Sequence, residues 1–113
     1  MRKIVTKPWG HEEIWAHTDK YVGKILHINP GHRLSEQYHR VKDETIYVLE
    51  GVLQLSLDED DTLVTLHPGQ SFHIYPGRVH RFCASKHGIG VRLLEVSTPE
   101  LDDVVRLSDD YNR

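Results

Sequence analysis

The chain has one cysteine, Cys83, and no apolar run long enough to span a bilayer. A lone cysteine excludes an internal disulfide and points to a reducing compartment. The opening MRKIVTKPWG lacks the apolar stretch of a secretion signal, so a soluble, cytoplasmic protein is expected. Charge of one sign is scarce as well: 14 Lys and Arg stand against 17 Asp and Glu, a net of −3. The basic residues are scattered, which argues against a nucleic-acid partner and against a polybasic membrane surface. No segment carries a long helical period, and there is no internal duplication, low-complexity tract or linker. At 113 residues the chain suits one domain with a single modest core.

What remains is a succession of short alternating stretches cut by turns. Tyr21–Ile28 closes on Asn29-Pro30-Gly31, with Lys24, Leu26 and Ile28 on one face. Glu44–Glu50 ends at Gly51 and puts Ile46 and Val48 on the face of Glu44. Leu53, Leu55 and Leu57 alternate with Gln54 and Ser56, a half-buried strand. Asp58–Asp61 reads as a solvated hairpin tip, since it lacks the glycine and the ligand spacing of a calcium loop. Leu63–Leu66, Ser71–Tyr75, the stretch through His80 and Phe82, and Ile89–Val96 follow. Glu13-Ile14-Trp15 is expected as a short edge strand, with Trp9 and Trp15 covering the core. About eight short strands at regular spacing predict an all-β sandwich or barrel. Residues 1–22 would form an N-terminal strand or arm, 23–96 the barrel, and 97–113 a tail.

Nine histidines in so short a chain are unusual, and those with geometric partners merit a role. Gln37 and His39, two residues apart on an extended segment, share a face and can converge on one point. A turn at Arg40–Asp43 would bring Glu44 back to that point, and His80 is the candidate for a fourth ligand.

These residues carry a resemblance. Gly31-x5-Gln37-x-His39-x4-Glu44-x6-Gly51 resembles the first cupin motif, with Gln in place of its usual first His. Gly69-x5-Tyr75-x-Gly77-x2-His80 resembles the second, with Tyr75 in place of its proline and Ala84 where it often ends in Asn. The chain looks most like the type II phosphomannose isomerase domain, which is usually fused behind a mannose-1-phosphate guanylyltransferase. Lys7-Pro8-Trp9-Gly10, the run Arg33–His39 and the closing run Asp102–Tyr111 all match that domain's signatures. Glu36 departs from the apolar residue usual at its place, and Ile46 from a typical Trp. The guanylyl-transfer half has no counterpart in these residues.

The resemblance implies a double-stranded β-helix, the cupin or jelly-roll barrel. It would enclose one divalent metal ion on Gln37, His39, Glu44 and His80. Zinc is the family's metal, while such a donor set also accepts iron, manganese, nickel or cobalt. The implied reaction is aldose–ketose isomerisation of a sugar phosphate, most simply mannose 6-phosphate and fructose 6-phosphate. A metal ion eases proton transfer between C1 and C2, and a nearby base shuttles the proton. His73, two residues before Tyr75, is the candidate base, and Lys42 a catalytic cation. Arg33, Lys24 and Arg106 are candidates for binding the sugar phosphate. Two other readings stand beside this one: a metal-dependent oxygenase built on His39, His80 and Glu44, and a non-catalytic metal- or sugar-binding module. His73 and Arg33 facing into the barrel would favour catalysis; facing outward, they would favour a binding module. A homodimer that covers exposed strand edges is also expected.

Overall fold

The computed structural model describes residues 2–112, and these contain eleven strands and no helix. The first sheet is built from β1 (Lys3–Lys7), β2 (Gly10–His17), β3 (Val22–Ile28), β5 (Glu44–Glu50), β8 (Ser71–Ile74) and β10 (Val91–Ser97). The second comprises β4 (Glu36–Tyr38), β6 (Leu53–Leu57), β7 (Thr62–Leu66), β9 (His80–Ala84) and β11 (Val105–Ser108). Their spatial orders are β1-β2-β3-β10-β5-β8 and β11-β4-β9-β6-β7, and every ladder is antiparallel. The pattern called for an all-β sandwich or barrel, and the two sheets form the double-stranded β-helix that the resemblance implied.

Period-two alternation decides which side chains meet between the sheets. Leu26 and Ile28 on β3, Ile46 and Val48 on β5, and Val91 and Leu93 on β10 point inward. They pack on Leu53, Leu55, Leu57 and Phe82 from the facing sheet. Removing each such side chain from water is worth about 1.5–3 kcal/mol. One end of this core is sealed by backbone. Gly51 has φ +80°, and a Cβ there would lie 2.1 Å from the Gly90 carbonyl oxygen. No L side chain fits that approach.

The two ends of the chain belong to the sheets more fully than the sequence suggested. Glu13-Ile14-Trp15 lies within the eight-residue β2, which is flanked by β1 and β3 and so is not an edge. Trp9 is in the core, but Trp15 is 43% exposed and lies over Gly23 on the outer face. Ile14 is the inward residue, so alternation turns its neighbour Trp15 outward, and the β2 ladder slips register between Ile14 and Ala16. Val105–Ser108, from the expected tail, pairs with β4. The tip at Asp58–Asp61 joins β6 to β7, with Asp58 and Asp61 in the left-handed region that aspartate tolerates.

Candidate metal centre

Both sheets contribute to one cluster. Gln37 on β4 stands opposite His80 on β9, and His39 follows β4 directly. Glu44 opens β5 in the other sheet and projects toward them. Its Oε1 lies 3.4 Å from His39 Nε2 and 3.3 Å from His80 Nε2, and all three side chains are buried.

The proton inventory shows what this cluster suits. His39 Nδ1 donates to the Asp103 carbonyl at 2.5 Å, and His80 Nδ1 to the Arg78 carbonyl at 2.9 Å. A carbonyl oxygen only accepts, so each Nδ1 carries a hydrogen and each ring turns its Nε2 toward Glu44. Among the described residues both Glu44 oxygens lack a hydrogen-bond partner despite full burial. Three ligand-type atoms, two imidazole nitrogens and a carboxylate oxygen, thus lie within 4.8 Å of one another. Such an arrangement is costly alone and fits a divalent cation, with carbonyls orienting the imidazoles from behind. Gln37 lines the same cavity, and its Nε2 donates to Ser35 Oγ at 3.1 Å, which leaves its carbonyl oxygen as the available donor atom.

The loop between His39 and Glu44 is held from a distance. The Asp103 carboxylate accepts the backbone N–H groups of Lys42, Val41 and Arg40 at 2.7–3.0 Å. Those three donors hold its pKa down at about 2. Asp43 and Thr98 exchange two further hydrogen bonds across the base of the loop.

A row of alternating charges crosses the inner face of the six-stranded sheet beside the cluster. Lys24 on β3 reaches Glu12 on β2 at 3.4 Å and stands directly opposite Glu95 on β10. Lys42 lies 3.1 Å from Glu95 and 3.3 Å from Glu44. Burial opposes its charge, yet Glu95 and Glu44 together carry Lys42 above the usual lysine range. Burial, with the charge of Glu44, pushes Glu95 up, and Lys42 and Lys24 partly offset this.

The cavity that contains these groups has a volume of about 380 Å³. Lys24, Lys42 and Arg106 line it, as do Lys3, Lys7 and Glu12 from the N-terminal hairpin. Arg106 stands opposite Gln37 in the β11–β4 ladder, is exposed, and has no ion-pair partner among the described residues.

Two expected site residues lie elsewhere. His73 pairs across from Thr45 while its neighbour Ile74 pairs with the inward Glu44, so strand parity turns His73 out. There its Nε2 lies 2.6 Å from Asp43 Oδ1 and the side chain is 57% exposed. Arg33 is bridged to Cys83 on the outer side, where Asp110 accepts from its Nε and Nη2 at 2.7 and 2.9 Å. The shared face expected for Arg33 and Gln37 is lost because the chain breaks strand at Leu34-Ser35, both of which are buried. Glu12, Glu95 and Asp103 went unread in the sequence. Glu95 did carry a signal, being a charge in register with the inward Val91 and Leu93. The contacts of Asp103 span more than sixty residues and had none.

Comparison with known proteins agrees with this architecture. The mannose-1-phosphate guanylyltransferase of Escherichia coli strain K12 is 35% identical over 117 residues, covering 100% of this chain and 24% of that protein. The chain thus spans about a quarter of the length of the curated relatives it matches. KdgF from Halomonas superposes with a TM-score of 0.76 at 20% identity, covering 91% of this chain and 89% of that one. A sugar phosphate isomerase of the cupin superfamily from Silicibacter pomeroyi gives 0.69 at 21% identity, over 78% and 58% of the two chains. Residues 24–97 match the cupin domain family, which brings the two sequence motifs, the paired sheets and the buried histidine–glutamate cluster together: the chain belongs to the cupins.

Proposed function

We propose that this domain is a metal-dependent aldose–ketose isomerase acting on a sugar phosphate, with mannose 6-phosphate and fructose 6-phosphate as the first pair to test. The observation that carries the reading is the buried His39–Glu44–His80 cluster at a cavity whose walls also carry unspent cationic charge. His39, Glu44 and His80 would hold the ion, with the Gln37 carbonyl as a fourth donor; zinc is our first choice. Such an ion supplies Lewis acidity to the C1 and C2 oxygens of an open-chain sugar.

The remaining work falls to the chain itself. Arg106, exposed on the cavity wall, receives the phosphate, helped by Lys3 and Lys7 from the hairpin. Lys24 keeps Glu12 in place beside the sugar. With His73 on the outer face, the proton passes between C1 and C2 by way of a cavity carboxylate, and we assign this to Glu95. Lys42 holds Glu95 and Glu44 apart as a cation between them. Support for a sugar phosphate comes also from the relatives, whose names refer to mannose 1-phosphate and to sugar phosphate isomerase.

One observation favours a second reading, a non-catalytic sugar-phosphate-binding module: His73 and Arg33 both face outward. The test is metal analysis of the purified chain, then mannose 6-phosphate turnover read as fructose 6-phosphate. Turnover that a chelator abolishes and zinc restores supports the isomerase. Metal-dependent binding of the sugar phosphate without turnover selects the module, and absence of metal from a folded chain ends both. The expected homodimer belongs to the same reading, and light scattering checks it. Among the described residues no helix is long and apolar enough to cross a membrane.

A further inference from the structure

A second cluster lies on the outer side of the six-stranded sheet, back to back with the cavity. Glu12 points inward to the cavity, so its neighbours His11 and Glu13 project together from the opposite face of β2. His27 on β3 stands directly across from His11 in the ladder. The two rings stack with centroids 4.1 Å apart and planes within 13°. Glu13 Oε1 lies 3.8 Å from His27 Nε2, and one donor atom from each of the three residues falls within 4.8 Å of the others.

The surroundings account for only part of this gathering. His27 Nε2 is shut off from solvent and has no hydrogen-bond partner among the described residues. The next residue along the row, Arg92, stands opposite His27 but pairs with Glu50 at 3.0 Å, so its charge is already met. Arg2 donates to Glu13 Oε1 at 2.9 Å, which leaves Oε2 as the carboxylate's spare donor atom. A void of about 180 Å³ beside His11, His27, Glu50 and Arg92 gives room for a ring to turn.

We propose that His11, Glu13 and His27 form a second site for a borderline divalent cation of the zinc type, independent of the cavity. Two imidazoles and a carboxylate are the donor set such ions take, with the open positions left to water. Residues two apart on one strand, joined by a cross-strand partner, are close enough to share one ion without moving the backbone. The stacked rings run parallel, so binding turns one of them about its Cβ–Cγ bond; all three side chains are only half-buried, which permits this. The bound ion would staple the N-terminal hairpin to β3 and stabilise the fold by mass action.

The experiment counts zinc taken up by the intact chain in equilibrium dialysis at neutral pH, for the unmodified protein and for the His11→Asn/His27→Asn double variant. The variant should hold about one ion fewer per chain. The measurement is a difference, so it stands whether or not the cavity loads. In parallel, imidazole nitrogen resonances of the unmodified protein are followed during zinc addition, which needs no variant to fold. The ring nitrogens of His11 and His27 should move together with zinc. Equal uptake by the two proteins, or His11 and His27 rings that stay unmoved under excess zinc, would overturn the proposal.

Discussion

The two ends of the barrel interior are built from the same strands and differ in almost everything else. β3 contributes Lys24 at one end and Leu26 and Ile28 toward the other; β5 runs from Glu44 to Ile46 and Val48; β10 runs from Val91 and Leu93 to Glu95. All these side chains obey one alternation and are buried. At the apolar end, burial itself is the stabilising term. At the polar end, burial removes charges from water, and only their mutual pairing offsets the loss. A row of paired carboxylates and lysines is therefore poor evidence of stability and good evidence of a site.

That contrast can be broken most severely at the cluster. His80→Ala should lower metal retention and any isomerase turnover by at least about 100-fold, judged by metal content and coupled assay. A variant that keeps its metal would dissolve the distinction between the two ends. Next comes Lys42→Met, which strands Glu44 and Glu95 and should cost about 3–5 kcal/mol in urea unfolding. Adding Glu95→Leu should recover part of that, because one of the two stranded carboxylates is then gone. If the single change costs below about 1 kcal/mol, the row is solvated and the contrast fails.

Smaller effects sharpen the picture at the rim. Arg106→Ala should raise KM for a sugar phosphate about tenfold while leaving the melting temperature unchanged, since this residue has no ion-pair partner among the described residues to lose. An unaltered KM would place the phosphate elsewhere. The smallest effect concerns Asp110, whose carboxyl Arg33 holds below the usual aspartate range. A depressed folded-state pKa adds stability above the ordinary aspartate value, and this is lost as pH falls through the folded value. Melting temperatures followed downward from about pH 4 should thus fall less steeply for Asp110→Asn than for the parent. Parallel curves would show that the pair contributes nothing.

The strands were legible in the sequence because alternation is a local property. Leu53, Leu55 and Leu57 declare their face without help. The gathering of Gln37, His39, Glu44 and His80 was legible through spacing between glycine turns. His73 was misplaced although its flanking Phe72 and Ile74 carried the correct parity, since two apolar neighbours on a short strand mark the inward side. Arg33 failed for a different reason: alternation holds only while the strand does, and Leu34-Ser35 interrupts it. Glu12 and Asp103 were out of reach, because their roles depend on partners that only the folded chain brings near.

Asp103 has one more implication. With its side chain it grips the turn before Glu44, and with its own carbonyl it steadies the ring of His39. Docking of the C-terminal segment and affinity at the centre are therefore two sides of one equilibrium. Whatever peels residues 101–108 from the barrel would loosen an ion held there by the same factor by which that ion would fasten the segment, so the far end of the chain would act as a latch on the site.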